Sequence, residues 1–174
     1  NELYPKNWMR TSSDIDVLVK EKDFDKARAL LTEKCGYTQK NVYTHDVSMF
    51  SEEGVHVELH YRLMEQDTVN DVEKILDNVW DYVDENGQMT DEFFYFYFIA
   101  RTAKHFRHGG CGIKPILDLW ILNNKLPKNE NRYELLEQGS LMKFEKHLVK
   151  LTDVWFSDAA GDDLTDKITK YVLL

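Results

Sequence analysis

The sequence predicts an α+β fold in which an N-terminal mixed or antiparallel sheet with helices on one side is followed by an all-helical lobe. Two segments in the first third of the chain, residues 14–19 and 55–61, alternate apolar and polar residues with the period of a β-strand. From about residue 71 onward, apolar residues recur at helical spacing instead. Strands with one helix among them, followed by helices alone, are typical of an α+β architecture.

The first predicted strand carries two aspartates. Ile15, Val17 and Val19 alternate with Asp14 and Asp16, so we expect both carboxylates on one face and the branched residues toward the core. Two like charges on one patch repel each other unless a cation lies between them. Magnesium is the usual cation, because it prefers oxygen ligands and is typically held by one or two carboxylates together with phosphates.

A helix is predicted next, with Asp23 as its N-cap and Gly36 as its C-terminal stop. The buried stripe of this helix would consist of Phe24, Ala27, Leu30 and Leu31. The chain would then enter a further strand at Tyr37.

The second alternating segment brings a third carboxylate, Glu58. Val55, Val57 and Leu59 would face the core, and the other face would carry His56, Glu58 and His60. The apolar residues 47–50 and the turn-forming residues 51–54 precede this segment, which predicts an antiparallel hairpin. If the hairpin lies beside the first strand, Glu58 converges with the two aspartates.

The second half is predicted to be helical throughout. Thr90 would cap a helix rich in aromatic residues, Asn86-Gly87 would separate it from the preceding helix, and Gly109-Gly110 would end it. The predicted helices cover residues 71–83, 91–106, 112–124, 133–138, 141–156 and 164–174. The most polar junction is Gln66-Asp67-Thr68, so we predict a sheet domain at 1–66 and a helical domain at 67–174.

Composition narrows the class of partner. The 174 residues carry a net charge of −9, which disfavours a long nucleic acid as partner, since nucleic-acid binders usually present a basic face. One local basic patch, Lys104 to His108 with Lys114 nearby, favours a nucleotide instead. No apolar run approaches membrane-spanning length. Cys35 and Cys111 fit no disulfide or zinc pattern, so we expect free thiols and a cytoplasmic location.

The sequence resembles the nucleotidyltransferase superfamily with the DNA polymerase beta-like fold, and it is most similar to a bacterial group of uncharacterised nucleotidyltransferases. The residues that carry the resemblance are Tyr4-Pro5, Arg10, 13–19, Gly36-Tyr37 and 57–60, with a weaker similarity at Lys104-His105 and 117–120. The resemblance covers most of the chain. Only the Asp-x-Asp motif and the Glu58 strand are specific.

The resemblance implies transfer of a nucleoside monophosphate from an NTP such as ATP to a hydroxyl acceptor, with release of pyrophosphate. Asp14 and Asp16 would bind two magnesium ions, and Glu58 would complete one site and help deprotonate the attacking hydroxyl. Side chains expected to contact the nucleotide are Arg10, Ser12, Ser13, Lys104 and His105. His60, on the same face as Glu58, would orient that carboxylate.

One part of the superfamily pattern is missing from this sequence. A helix and a Gly-Ser or Gly-Gly turn normally precede the Asp-x-Asp motif and hold the triphosphate, but no such glycine precedes Asp14 here. Either the sequence starts after this helix and turn, or the phosphate cradle has been lost. We expect the first, because a core strand pair without its packing helix would leave apolar surface bare.

Alternatives remain for each of these interpretations. Asp14 and Asp16 could simply polarise the start of a strand, with Arg10 as counter-charge. The chain could be a nucleotide- or partner-binding module that has lost its chemistry. It could also be a metal hydrolase that binds zinc through His56, Glu58 and His60, with His45 in support. Asp118, which is flanked by apolar residues, needs a partner that could be structural or a ligand, and the acceptor is not predicted because a fold does not determine a substrate.

Overall fold

A computed structural model describes residues 3–43, 45–64 and 70–173 of the chain. The chain divides into two compact units, Asn1–Asp67 and Thr68–Leu174. The first contains a mixed sheet with a helix, and the second is helical, so the predicted α+β fold class is confirmed. The junction predicted at residues 66–68 lies outside the described residues.

The sheet has four strands in the described residues, in the spatial order β1-β4-β3-β2. They are β1 (Ile15–Leu18), β2 (Thr38–Val42), β3 (Asp46–Phe50) and β4 (His56–His60). β3 and β4 form the predicted antiparallel hairpin, and β4 pairs in parallel with β1. The second alternating segment therefore does lie beside the strand that carries the two aspartates.

One face of this sheet is covered by helix α1 (Phe24–Cys35). The buried centre consists of Val47, Met49 and Leu59. The residues packed against this centre are Val19, Phe24, Ala27, Leu31 and Tyr37. Gly36 ends the helix as predicted, with the left-handed φ of 72° that glycine adopts easily.

The predictions for five residues of this unit are wrong. Ile15 and Val17 are 53% and 38% exposed, because β1 is an edge strand and the core packed under α1 is centred on β3 and β4. Val55 is exposed because it lies in the turn before β4 begins, and Leu30 is exposed on the outer side of α1. Asp23 makes no capping hydrogen bond within the described chain, because a short 3₁₀ turn over Glu21–Asp23 leads directly into the helix.

The second unit contains six α-helices in its described residues. They are α2 (Asn70–Asp77), α3 (Asp91–Arg107), α4 (Ile113–Lys125), α5 (Glu130–Gln138), α6 (Met142–Phe156) and α7 (Asp163–Val172). The predicted cap of α3 is present, since the Thr90 hydroxyl accepts from the backbone N–H of Phe93 at 3.3 Å. The continuous helix predicted over 71–83 is wrong: it ends at Asp77, and a 3₁₀ turn over Val79–Tyr82 follows.

A buried polar network lies within the core of this helical unit. The guanidinium of Arg132, only 1% exposed, lies over the ring of Tyr95 and donates to Glu145 at 3.2 Å and to Asn123 at 2.7 Å. The Tyr95 hydroxyl donates to the same Glu145 oxygen at 2.8 Å. A charge buried this deeply is tolerated because its partners replace water.

Candidate active site

The candidate site lies on the face of the sheet opposite α1, because strand register places its polar residues there. Asp16 on β1 is opposite Glu58 on β4, and Ser48 on β3 is opposite Glu58 from the other side. Residues paired across a ladder point to the same face. Alternation along β4 adds His56 and His60 to this face, while Val57 and Leu59 face α1.

A first cluster on this face contains Asp14, His56 and Glu58, whose potential ligand atoms all lie within 4.8 Å of one another. The His56 Nε2 is 3.6 Å from Glu58 Oε1 and forms a hydrogen bond of 3.0 Å with the hydroxyl of Ser48. On the other side, the hydroxyl of Ser12 donates to Asp14 Oδ1 at 2.9 Å. The hydrogen bond from Ser12 therefore orients the Asp14 carboxylate, and Ser48 holds the His56 ring beside Glu58.

A second cluster contains Asp16, Glu58 and His60, again within 4.8 Å of one another. The His60 Nε2 is 3.4 Å from Asp16 Oδ1 and 3.6 Å from Glu58 Oε2. Glu58 is therefore common to both clusters, with Oε1 toward His56 and Oε2 toward His60. The three carboxylates predicted to converge lie in these two overlapping clusters, joined by Glu58.

The donors of these clusters fit a divalent cation. Carboxylate oxygens from three side chains are available, and the Asp16 and Glu58 side chains are 47% and 29% exposed, so an ion with bound phosphates could reach them. Both ring nitrogens of His60 are buried and have no hydrogen-bond partner among the described residues. Buried polar atoms of this kind usually mark a bound water or ion.

The charges around His60 affect its protonation. Burial by itself would lower the pKa of His60, but the carboxylates of Asp16, Asp46 and Glu58 outweigh this effect and the pKa is raised above its ordinary value. The imidazole therefore tends to hold a proton that partly offsets the repulsion among the carboxylates.

Sequence reasoning missed Asp46. It is the first residue of β3, its side chain is 9% exposed, and it pairs with His60 across the hairpin. The register could have revealed it, because counting back from the turn between Phe50 and His56 pairs Asp46 with His60. The neighbouring His45 contacts Asp46, with 3.1 Å between Nε2 and Oδ2. From the sequence, His45 was expected only as a supporting ligand in the zinc alternative.

The segment before β1 holds three residues predicted to contact phosphate. Arg10 donates to the carbonyl of Thr11 at 2.6 Å, and Ser13 is exposed. Ser12 uses its hydroxyl proton on Asp14, so its observed contact orients a carboxylate.

Lys104 and His105, also predicted to contact the nucleotide, lie near the end of α3 in the other compact unit. The pKa of His105 is lowered, first by burial and then by the positive charges of Arg101, Lys104 and His108.

The geometry does not favour the zinc hydrolase alternative. Zinc would need one atom from each of His56, Glu58 and His60 around a common point. Instead, His56 lies near Oε1 of Glu58 and His60 lies near Oε2. None of the potential metal-binding groups among the described residues contains both histidines.

A mixed sheet with carboxylates from two adjacent parallel strands on one face, followed by helices, is the arrangement expected of the nucleotidyltransferase class. The family model described as "Uncharacterised nucleotidyltransferase" matches residues 1–156, and the chain belongs to this family. Family membership supports nucleotidyl transfer as the general activity, with a nucleotide as substrate and a divalent metal as the usual requirement. No curated protein and no solved structure matches the chain. None of the helices in the described ranges is long and apolar enough to cross a membrane.

Proposed function

We propose that this chain is a magnesium-dependent enzyme that transfers a nucleoside monophosphate from an NTP to a hydroxyl acceptor and releases pyrophosphate. The observation that carries the proposal is the position of Glu58, which lies opposite Asp16 and shares one cluster with Asp16 and another with Asp14. Family membership supplies the reaction class.

Asp14, Asp16 and Glu58 would hold two magnesium ions at this face. When bound, these ions would neutralise phosphate charge and align the attacking and leaving oxygens. The ligands are preorganised by the chain itself. Ser12 donates to Asp14, and His60 lies 3.4 Å from Asp16.

In the proposed step, the acceptor oxygen attacks the α-phosphorus of the NTP, and the bond to the pyrophosphate oxygen breaks. Glu58 would help to remove the proton of the attacking hydroxyl, a role that the resemblance to the nucleotidyltransferase superfamily implies. His60, whose Nε2 lies 3.6 Å from Glu58 Oε2, is proposed to orient this carboxylate through the attraction of opposite charges. Arg10 and Ser13, in the segment before β1, would offset the charge that accumulates on the leaving pyrophosphate.

Lys104 and His105 are proposed to contact the nucleotide or the acceptor. Lys104 and the neighbouring Arg101 carry local positive charge in a chain of net charge −9, which supports a phosphate-bearing ligand beside His105. We also propose that residues 1–66 form the sheet domain, that residues 67–174 form the helical domain, and that the protein is located in the cytoplasm.

A transfer screen tests the proposal. The full chain is incubated with magnesium, each NTP labelled at the α-phosphate in turn, and a cell extract as source of acceptor. We expect a labelled product with the parent and with Glu52→Gln, a control for an exposed carboxylate in the hairpin turn, and none with Asp16→Asn. A product that forms equally with Asp16→Asn would overturn the assignment. No product with the parent would favour a binding module that has lost its chemistry.

A further inference from the structure

A separate group of metal-binding side chains lies at the far end of the β3–β4 hairpin. Asp46 and His60 are directly opposite each other in the antiparallel ladder. The backbone N–H of Tyr61 donates to the carbonyl of His45 at 3.1 Å, which holds His45 beside this pair. We call His45, Asp46 and His60 the hairpin cluster.

The potential ligand atoms of the hairpin cluster are close together and largely shielded from solvent. Asp46 Oδ2 lies 3.1 Å from the Nε2 of His45 and 3.8 Å from the Nδ1 of His60. One atom from each side chain lies within 4.8 Å of the other two. The side chains are only 13%, 9% and 15% exposed, in chain order.

This burial is costly unless the polar atoms are satisfied. A carboxylate and two imidazoles removed from water lose hydration that only hydrogen bonds or a metal ion can replace. The His60 Nδ1 points at Asp46 from 3.8 Å, which is too far for a hydrogen bond, and it has no other hydrogen-bond partner within the described residues. An ion between the two atoms would satisfy both.

We propose that the hairpin cluster binds one divalent transition-metal ion of the zinc class. Two imidazoles and one carboxylate are ligands that zinc accepts, whereas magnesium prefers oxygen alone. With bonds of about 2.0–2.1 Å, tetrahedral ligand atoms are about 3.3 Å apart. The observed separations of 3.1 and 3.8 Å lie on either side of this value.

The hairpin cluster shares one residue, His60, with the proposed magnesium clusters. The two kinds of cluster use different ring nitrogens of this residue. His60 Nδ1 faces Asp46, while Nε2 faces Asp16 and Glu58. A metal bound at Nδ1 would leave the proton on Nε2, where it can be donated to these two carboxylates. The ion would thus fix the tautomer of the residue that orients the proposed catalytic carboxylate. Zinc binding itself does not depend on the proposed function.

Metal titration tests the inference on the full chain. Metal-free protein is titrated with Zn²⁺ alone, in the absence of nucleotide, and the stoichiometry is checked by elemental analysis after desalting. A parallel titration with Co²⁺ reports tetrahedral coordination through visible absorption. We expect one ion per chain in the parent and tetrahedral cobalt absorption.

Matched variants locate the ion. Asp46→Asn and His45→Gln should weaken Zn²⁺ binding by at least about tenfold, whereas Asp14→Asn, which alters only the carboxylate clusters, should bind like the parent. Equal binding by Asp46→Asn and parent, or no binding by the parent, would overturn the inference. Weaker binding by Asp14→Asn would place zinc at the carboxylates and would also overturn it. If Asp46→Asn does not fold, His45→Gln decides, because it leaves the buried carboxylate in place.

These outcomes are independent of nucleotidyl transfer. If the protein binds zinc at the hairpin cluster but shows no transfer activity, the proposed function is contradicted and this inference stands. Transfer activity in a protein that binds no zinc would do the reverse.

Discussion

Asp16 and Glu58 lie opposite each other on two parallel strands that are 42 residues apart in the chain, and His60 contacts both carboxylates. The chain between the two strands brings β4 beside β1 in the same direction, and residues directly opposite each other in this pair point to the same face of the sheet. The proposed chemistry depends on this register, since a shift of one residue would move Glu58 to the face that packs on α1.

Removal of one partner of the buried Arg132–Glu145 pair is expected to destabilise the helical unit strongly. Glu145→Gln would leave the guanidinium without its counter-charge at 1% exposure, and the free energy of unfolding should fall by about 3–5 kcal/mol. Urea unfolding followed by circular dichroism measures the change.

An exposed ion pair provides the control for this prediction. Arg28 and Asp25 are 3.0 Å apart on α1 but open to solvent, so Arg28→Gln should change the free energy of unfolding by less than about 1 kcal/mol. Similar losses in the two variants would mean that burial does not determine the strength of the Arg132 pair.

Asp162 should make stability depend on pH in the acid range. Its hydrogen bond with Lys150, followed by that from the Thr165 backbone, lowers the pKa of Asp162 from 3.8 to about 2. A group whose pKa is lowered by folding stabilises the folded state above its unfolded pKa. This contribution should therefore be complete above about pH 4 and lost as the pH falls toward about 2.

Asp162→Asn keeps an oxygen that can cap α7 but removes the titrating charge. Thermal melts from neutral pH down to about pH 2 should show a smaller loss of stability for this variant than for the parent. Parallel curves for both proteins over this range would show that Asp162 titrates alike in the folded and unfolded chain.

Gly110 is expected to tolerate substitution less well than its neighbour Gly109. Both have left-handed φ angles, 108° and 115°, so alanine is strained at either position. A methyl group at Gly110 would also lie 2.7 Å from the backbone oxygen of Tyr171 on α7, whereas Gly109 has open space. Gly110→Ala should destabilise the protein by about 1 kcal/mol or more beyond Gly109→Ala. Equal losses in urea unfolding would rule out the close approach.

The sheet and the helical region were predictable because their apolar periodicity is strong. Alternation around Glu58 and the turn before it predict the hairpin, and Gly36 marks the end of α1. Alternation shows which face a residue points to, but not what covers that face. For this reason Ile15 and Val17 were predicted to be buried, although they are exposed on the edge strand of the sheet that the described residues form.

The site was only partly predictable, because some of its residues are recognisable from spacing along the chain and others only from pairing between strands. Asp14, Asp16 and Glu58 stand out through their spacing on short strands. Asp46 does not, since its importance comes from being opposite His60 across a hairpin. The network around Arg132 was equally hidden, because an arginine on an amphipathic helix normally indicates a solvent-exposed face.

The central claim is that the acidic residues on β1 and β4 bind a metal–nucleotide complex, and a thermal-shift comparison of parent and Asp16→Asn tests it most directly. Asp16 is 47% exposed, so loss of its charge should change the free energy of unfolding of the ligand-free protein by less than about 1 kcal/mol. Magnesium with NTP should raise the Tm of the parent by mass action and leave that of Asp16→Asn unchanged. Equal stabilisation of the two proteins would contradict the claim, because the nucleotide would then bind elsewhere.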